Sequence, residues 1–272
     1  MCKMKKCILS VLVFALVVSV FAEEYRLPDG SVYFGEMKNG LFEGHGTQIF
    51  QDGSKFVGDF SNGLYNGHGT YESDSCKYDG EYSNGLWHGH GTYESRLYTY
   101  TGDYVNGMME GQGEVKYSNG TTYTGSFKNN DFSGKGRMIY FDGSVYIGDF
   151  KGGLKDGEGF FDFFDGSYYK GGFKDDYYDG EGVFHRTDGI KYVGRWTKGE
   201  LNGEGIVIYP NGREKIVVFE RTAIKGNKNK KPFPFLEALS LILSALVILL
   251  FINNIRLKKR LQSFEQTKDN SL

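Results

Sequence analysis

A unit of 22 or 23 residues recurs eight times in this chain, with copies starting at Tyr33, Phe56, Tyr78, Tyr100, Tyr123, Tyr146, Tyr169 and Tyr192. A repeat of this length leaves few architectures open. Each copy is one small supersecondary unit, and the copies must stack on their neighbours to bury anything. The clearest copies are YIGDFKGGLKDGEGFFDFFDGSY and YVGRWTKGELNGEGIVIYPNGRE.

Each unit reads aromatic-x-Gly-x-aromatic, then a turn, then Gly-x-Gly and a short apolar run, then Asp-Gly or Asn-Gly. Aromatic, Gly and aromatic at alternate positions share one face of a strand. The glycine between them leaves space over the backbone in which a ring can lie. The pairs Asn39-Gly40, Asn62-Gly63, Asn84-Gly85 and Asn106-Gly107 are hairpin signals, because both residues accept positive φ. Two copies carry Asn130 and Asp176 in place of that glycine, and these residue types are the next most tolerant of the left-handed region. A second turn follows at Asp52-Gly53, Asn119-Gly120, Asp142-Gly143, Asp165-Gly166, Asp188-Gly189 and Asn211-Gly212, and is replaced by SDSCK and SRLYT in copies two and three. One unit therefore predicts one β-hairpin, and eight predict an all-β antiparallel meander of about sixteen strands.

The pattern Y-x-G-x-x-x-x-G-x-x-x-G-x-G, as it stands from Tyr33 to Glu214, resembles the MORN (membrane occupation and recognition nexus) repeat. The resemblance implies a solenoid of eight β-hairpin repeats over 33–214, used for scaffolding and attachment near membranes. It does not imply one activity.

The ends of the chain are of a different kind. Residues 1–22 have a basic start (Lys3, Lys5, Lys6), an apolar run and small residues at Val20 and Ala22, which together read as a secretory signal peptide. Residues 23–32 contain a half-repeat, YRLPDGS, expected to form a capping strand. Residues 215–232 read as a closing strand followed by a basic linker. Phe235 to Ile252 is an apolar run of 18 residues, long enough for one transmembrane helix, placed with its flanks at 233–255. The tail 256–272 would then be cytosolic. Lys230 and Lys231 flank the span on one side, and Arg256, Lys258, Lys259 and Arg260 on the other. The expected topology is single-pass, in the secretory pathway or at the cell surface, with the repeat block outside the cytosol.

Between residues 25 and 214 there are 28 acidic and 18 basic side chains, a net charge of −10. That balance disfavours nucleic acid and repels anionic lipid, contact with which is favoured only by the two basic clusters flanking the span. Only Cys76 remains outside the leader, so the block has no internal disulfide. His45, His68 and His90 recur at one position of the repeat, two strands apart. At about 10 Å they are too far from one another to share a metal, and only a site involving His88 is left open. No metal, cofactor or catalytic constellation is expected. Asn119-Gly120-Thr121 is the one N-glycosylation sequon.

The ring-bearing face is expected to be the solenoid's own core. Its alternative use is a partner platform, with Tyr82, Tyr104, Phe127, Phe150, Phe173 and Trp196 as contacts; the opposite face reads as mostly polar. The function expected is a non-enzymatic, membrane-anchored scaffold binding a protein partner or a second copy of itself. A phospholipid-binding or membrane-apposition module is the alternative. A regulatory part of an enzyme complex is a remote third reading, implied by MORN blocks joined to catalytic domains elsewhere in the family.

Overall fold

The computed structural model describes residues 24–226. The leader over 1–22, the linker beyond residue 226, the span over 233–255 with its flanking basic residues, and the tail over 256–272 lie outside the described residues. Among the described residues no helix is long and apolar enough to cross a membrane.

The protein divides into two compact units, with the boundary between Ser118 and Asn119. In the first, Glu24–Arg26 pairs with Val32–Lys38, the opening strand of repeat one. Repeats one to four follow as antiparallel hairpins, each strand pairing with the next in sequence. The second unit holds repeats five to eight, built in the same way. It closes with Glu214–Glu220 and a last strand, Ala223–Gly226. Ala223–Gly226 falls in the stretch read as linker. It reaches strand geometry through a two-residue turn in which Arg221 and Thr222 both hold positive φ, at 52° and 65°. Neither residue type signals such a turn. The hydrogen bond from Thr222 N to Leu201 O and that from Leu201 N to Thr222 Oγ1 hold it in place.

The first turn of every repeat has two residues at positive φ, including Asn129-Asn130, Asp175-Asp176 and Lys198-Gly199. The second turn is an Asx turn: Asp52 Oδ1 accepts from Ser54 N at 2.9 Å and from Ser54 Oγ at 2.6 Å. Those two bonds hold the Asp52 carboxyl below its ordinary pKa. In repeats two and three a serine hydroxyl does the same work: Ser73 Oγ accepts from Cys76 N, and Ser95 Oγ from Tyr98 N.

The core is a column of rings laid on glycine. Tyr33, Tyr78, Tyr100, Tyr123, Tyr146 and Tyr169 are fully buried. Each crosses a cross-strand glycine pair such as Gly148 and Gly159. Each hydroxyl then donates to the backbone carbonyl three residues on, for example Tyr146 OH to Asp149 O at 3.0 Å and Tyr123 OH to Ser126 O at 2.9 Å. The register slips at this point: after Gly148 and Gly159 the next pair is Phe150 and Lys155. The bulge takes the Asp149 carbonyl out of the regular ladder, and the tyrosine hydroxyl satisfies it. Six of the eight repeats use Tyr in this way, while Phe56 fills the place in repeat two without the hydroxyl.

Candidate interaction surfaces

The six rings proposed as a partner platform are part of the core. Tyr82, Tyr104, Phe127, Phe150, Phe173 and Trp196 are 3–5% exposed. Phe150 meets Tyr123 and Tyr146 edge-on, at 5.1 Å in each case. A third ring, nine residues after the start of the repeat, completes the packing. Phe42, Tyr65, Trp87, Phe132 and Tyr178 stack flat on the opening ring of their own repeat at 3.7–4.4 Å. The column is thus sealed by its own side chains, and little of these rings remains for a partner. The recurrence at nine residues is plain in the sequence and was the signal to use.

Repeat six departs from this rule. Its third position is Lys155, whose Nζ lies 5.7–5.8 Å from the ring centres of Tyr140, Tyr146 and Phe161. It bonds Tyr140 OH at 3.2 Å and Asp176 at 3.0 Å, and its side chain is 15% exposed. Burial lowers the ammonium's pKa, but Tyr140 and Asp176 outweigh it and raise the net value. The stem replaces the missing ring over Tyr146, and the head is neutralised from the next repeat. Asp176→Asn keeps a residue suited to the φ of 69° and removes only the charge. It should cost about 1–2 kcal/mol, between exposed and buried ion pairs. Adding Lys155→Tyr should recover the loss by supplying the ring found at this place in five of the other seven repeats. Urea midpoints of the two variants test this.

The opposite face differs between the units. In the first unit, histidines pair with carboxylates across strands: His45 with Asp59 at 2.9 Å, His68 with Asp79 at 3.4 Å and His90 with Asp103 at 3.2 Å, all largely exposed. His88 Nδ1 is buried and has no hydrogen-bond partner. Among the described residues no three His, Cys, Asp or Glu side chains are placed to hold a metal ion.

In the second unit this face keeps Asp149, Glu158, Glu181, Arg195 and Glu204 in one row, but the row beside it is largely apolar. This second row reads Ile147, Phe160, Lys170, Val183, Val193, Ile206 and Ile216. The matching row in the first unit is Phe34, Thr47, Val57, Thr70, Asp79, Thr92, Thr101 and Glu114. The apolar row crosses seven strands, or about 30 Å. Val183 and Val193 are 5–6% exposed, while Ile147 and Ile216 at the two ends are 38% and 39% exposed. An open cleft of about 340 Å³ lies at the Ile147 end, lined by Lys135, Ile147, Glu158, Phe160, Lys170 and three glycines. Burial depresses the Lys170 pKa, with Glu158 opposing. Lys135 pairs with Asp149 at 2.7 Å on the rim. The cleft thus has an apolar floor with separated charges of both signs at its edge. At the second-turn tips nearby, Phe141 and Phe164 are 75% and 74% exposed, where repeats one and seven carry Gln51 and Thr187. Asn119 is exposed at another tip, and its Oδ1 accepts from Thr121 N.

The family model described as MORN repeat matches eight times, over residues 33–55, 56–75, 78–96, 100–122, 123–145, 146–168, 169–191 and 192–212. These are the eight starts read from the sequence. No curated protein matches this one. Among solved structures, it is similar to the wild-type TCP10 domain of CPAP from Danio rerio, at 11% identity and a TM-score of 0.40, over 76% of this chain and 100% of that one. It is also similar to the SAS-4 (dCPAP) TCP domain of Drosophila melanogaster, in complex with a proline-rich motif of Ana2 (dSTIL), at 13% identity and a TM-score of 0.31, over 72% and 89% of the two chains. At these scores the likeness carries no argument about function.

Proposed function

The chain belongs to the MORN repeat family, and from that premise we propose that it is a non-enzymatic, membrane-anchored scaffold whose second unit offers one apolar strip to a protein partner. The exposed ends of this strip, Ile147 and Ile216, with half-buried Phe160, Lys170 and Ile206 between them, are the observation that carries the reading. Valine and isoleucine recur there on a face that the first unit fills with threonine, histidine and carboxylates, and the ring column makes no use of them. The anchor is the apolar run Phe235 to Ile252, and the leader over 1–22 sends the repeats to the lumenal or outer side. In that topology exposed Asn119 is a glycan acceptor, and treating the full-length protein with a glycosidase would change its mobility.

The scaffold reading is tested by cross-linking the full-length protein in its membrane. Ile147 and Ile216 are each more than a third exposed, so Ile147→Lys with Ile216→Lys should alter stability by only about 0.5 kcal/mol per site. The double variant should lose the cross-linked partner, whereas Val57→Lys in the first unit should keep it. A partner set unchanged by the double variant removes the strip from the mechanism.

A second reading, contact with a phospholipid surface, is favoured by Phe141 and Phe164 alone. Exposed rings at neighbouring tips can enter an interface without any basic patch. Flotation with phospholipid vesicles that is lost on Phe141→Ser with Phe164→Ser, and kept by the isoleucine changes, would point to that tip edge instead.

A further inference from the structure

We infer that Asn39-Gly40 is a site of spontaneous covalent modification, at which the asparagine deamidates faster than at any of the three equivalent turns. Four repeats place Asn-Gly in the same two-residue turn: Asn39-Gly40, Asn62-Gly63, Asn84-Gly85 and Asn106-Gly107, with both residues at positive φ in each. In deamidation the glycine nitrogen attacks Cγ of the asparagine carboxamide. A new C–N bond forms, the carboxamide C–N bond breaks, and ammonia leaves with the proton taken from the glycine nitrogen. Water then opens the resulting ring at either carbonyl, giving aspartate or isoaspartate. One water is consumed and one ammonia released, with no oxidation or reduction.

The attacking nitrogen must be free, and stacking of the repeats decides whether it is. Gly63 N donates to Phe42 O at 2.9 Å, Gly85 N to Tyr65 O at 2.9 Å and Gly107 N to Trp87 O at 2.8 Å. Each acceptor belongs to the preceding repeat. Repeat one has none before it: Glu24–Arg26 covers only Val32, Tyr33 and Phe34, so the half of the strand next to the turn has no outer neighbour among the described residues. Gly40 N accordingly has no acceptor there. The side chains differ as well. Asn62 and Asn84 donate to the preceding serines Ser61 and Ser83 at 3.4 Å, whereas Asn39 follows Lys38 and Asn106 follows Val105; all four are exposed.

The other exposed Asn-Gly pairs are held in different ways. Asn119 and Asn211 accept a backbone N–H two residues on, and Asn202 accepts from Arg221 N. Asn66-Gly67 lies within a paired strand, with Gly67 opposite Tyr82. The modification has a structural outcome. It adds a negative charge, and the isoaspartyl form inserts a backbone methylene into a two-residue loop that requires fixed dihedrals at both positions. The first hairpin then loses its turn, at the edge where the repeat array begins.

The test is to incubate the full-length protein in detergent at neutral to mildly alkaline pH and follow the four turn peptides by mass spectrometry, with the aspartyl and isoaspartyl products resolved by chromatography. Asn39 should convert at least about five times faster than Asn62, Asn84 or Asn106, the factor expected from one ordinary hydrogen bond on the nucleophile. In urea the four rates should converge. Equal rates in the folded protein, or a lead for Asn39 that persists in urea, overturns the inference.

Discussion

Replacing Gly148 with Val is expected to destabilise the second unit by about 3 kcal/mol, the upper end of ordinary overpacking costs. A Cβ at this position would sit 2.6 Å from Gly159 Cα and 2.6 Å from Tyr146 Cζ, and closer still to Tyr146 OH. The cross-strand backbone cannot move aside without breaking the ladder. The ring cannot move without giving up its hydrogen bond to Asp149 O and exposing the Phe150 and Phe173 edges packed on it. Gly153 provides the contrast. It is a turn glycine at φ 81°, and the nearest atom to an added Cβ is 3.8 Å away. Space does not limit it, but backbone conformation does. Gly153→Ala should cost about 1 kcal/mol. Gly153→Asn should cost much less, because Asn130 holds φ 72° at the same place in repeat five. Urea unfolding of the three variants tests the pair of assignments. A silent Gly148→Val, or equal losses for Gly153→Asn and Gly153→Ala, would sink them.

Alkaline pH should unfold the repeats steeply between about pH 10 and 12, and tyrosine ionisation is the cause. Burial pushes Tyr65 and Tyr123 up to about 12. Tyr78, Tyr100, Tyr146 and Tyr169 are raised further, again mainly by burial, with neighbouring carboxylates or rings adding to it. The hydroxyls of those four and of Tyr123 also donate to backbone carbonyls, which favours the neutral form. In the unfolded state each ionises near its ordinary value of about 10. A pKa raised by folding gives a contribution that is complete below the unfolded value and lost as pH rises through the folded one. Above pH 10 each such tyrosine can therefore remove up to about 1.4 kcal/mol per pH unit. Several acting together should make tyrosinate absorbance and loss of the β-sheet signal rise as one transition. An ordinary tyrosine titration over an intact sheet would mean that the rings are not buried as described. Tyr123→Phe should make the transition shallower, since it removes one of the groups that drive it; Phe56 already fills that place in repeat two.

The two units differ less in their cores than in what they present. The first shows paired histidines and carboxylates on its second face; the second shows an apolar row and two exposed phenylalanine tips. The repeat pattern hides this difference, because the invariant positions are those spent on turns and on the ring column. The positions that vary from copy to copy carry whatever distinguishes one member of the family from another. The proposed partner surface is therefore tested through residues such as Ile147 and Ile216, not through the aromatics that define the repeat.

The eight repeat hairpins, the places of their turns and the need for positive φ there were legible in the residue pattern; the last turn, at Arg221-Thr222, was not. The pattern also determined which alternate residues share the ring-bearing face. These follow from short-range rules: a two-residue turn needs specific dihedrals, and side chains alternate along a strand. Even the third ring, which five of the eight repeats carry, and the apolar row of the second unit were present as periodicities. Matters set by two strands meeting were not legible in this way. The bulge after Gly148, which frees a carbonyl for Tyr146, depends on how Leu154–Asp162 registers against Val145–Lys151. The fit of Lys155 depends on Tyr140 and on Asp176 from the next repeat. In repeat eight Leu201, fully buried, moves in against Gly194, and Phe219 takes the ring's place against Gly205. Tyr192 instead accepts a bond from Arg186. No local rule predicts that exchange, because it depends on which side chain reaches the space over a glycine first, and that is a property of the packed sheet.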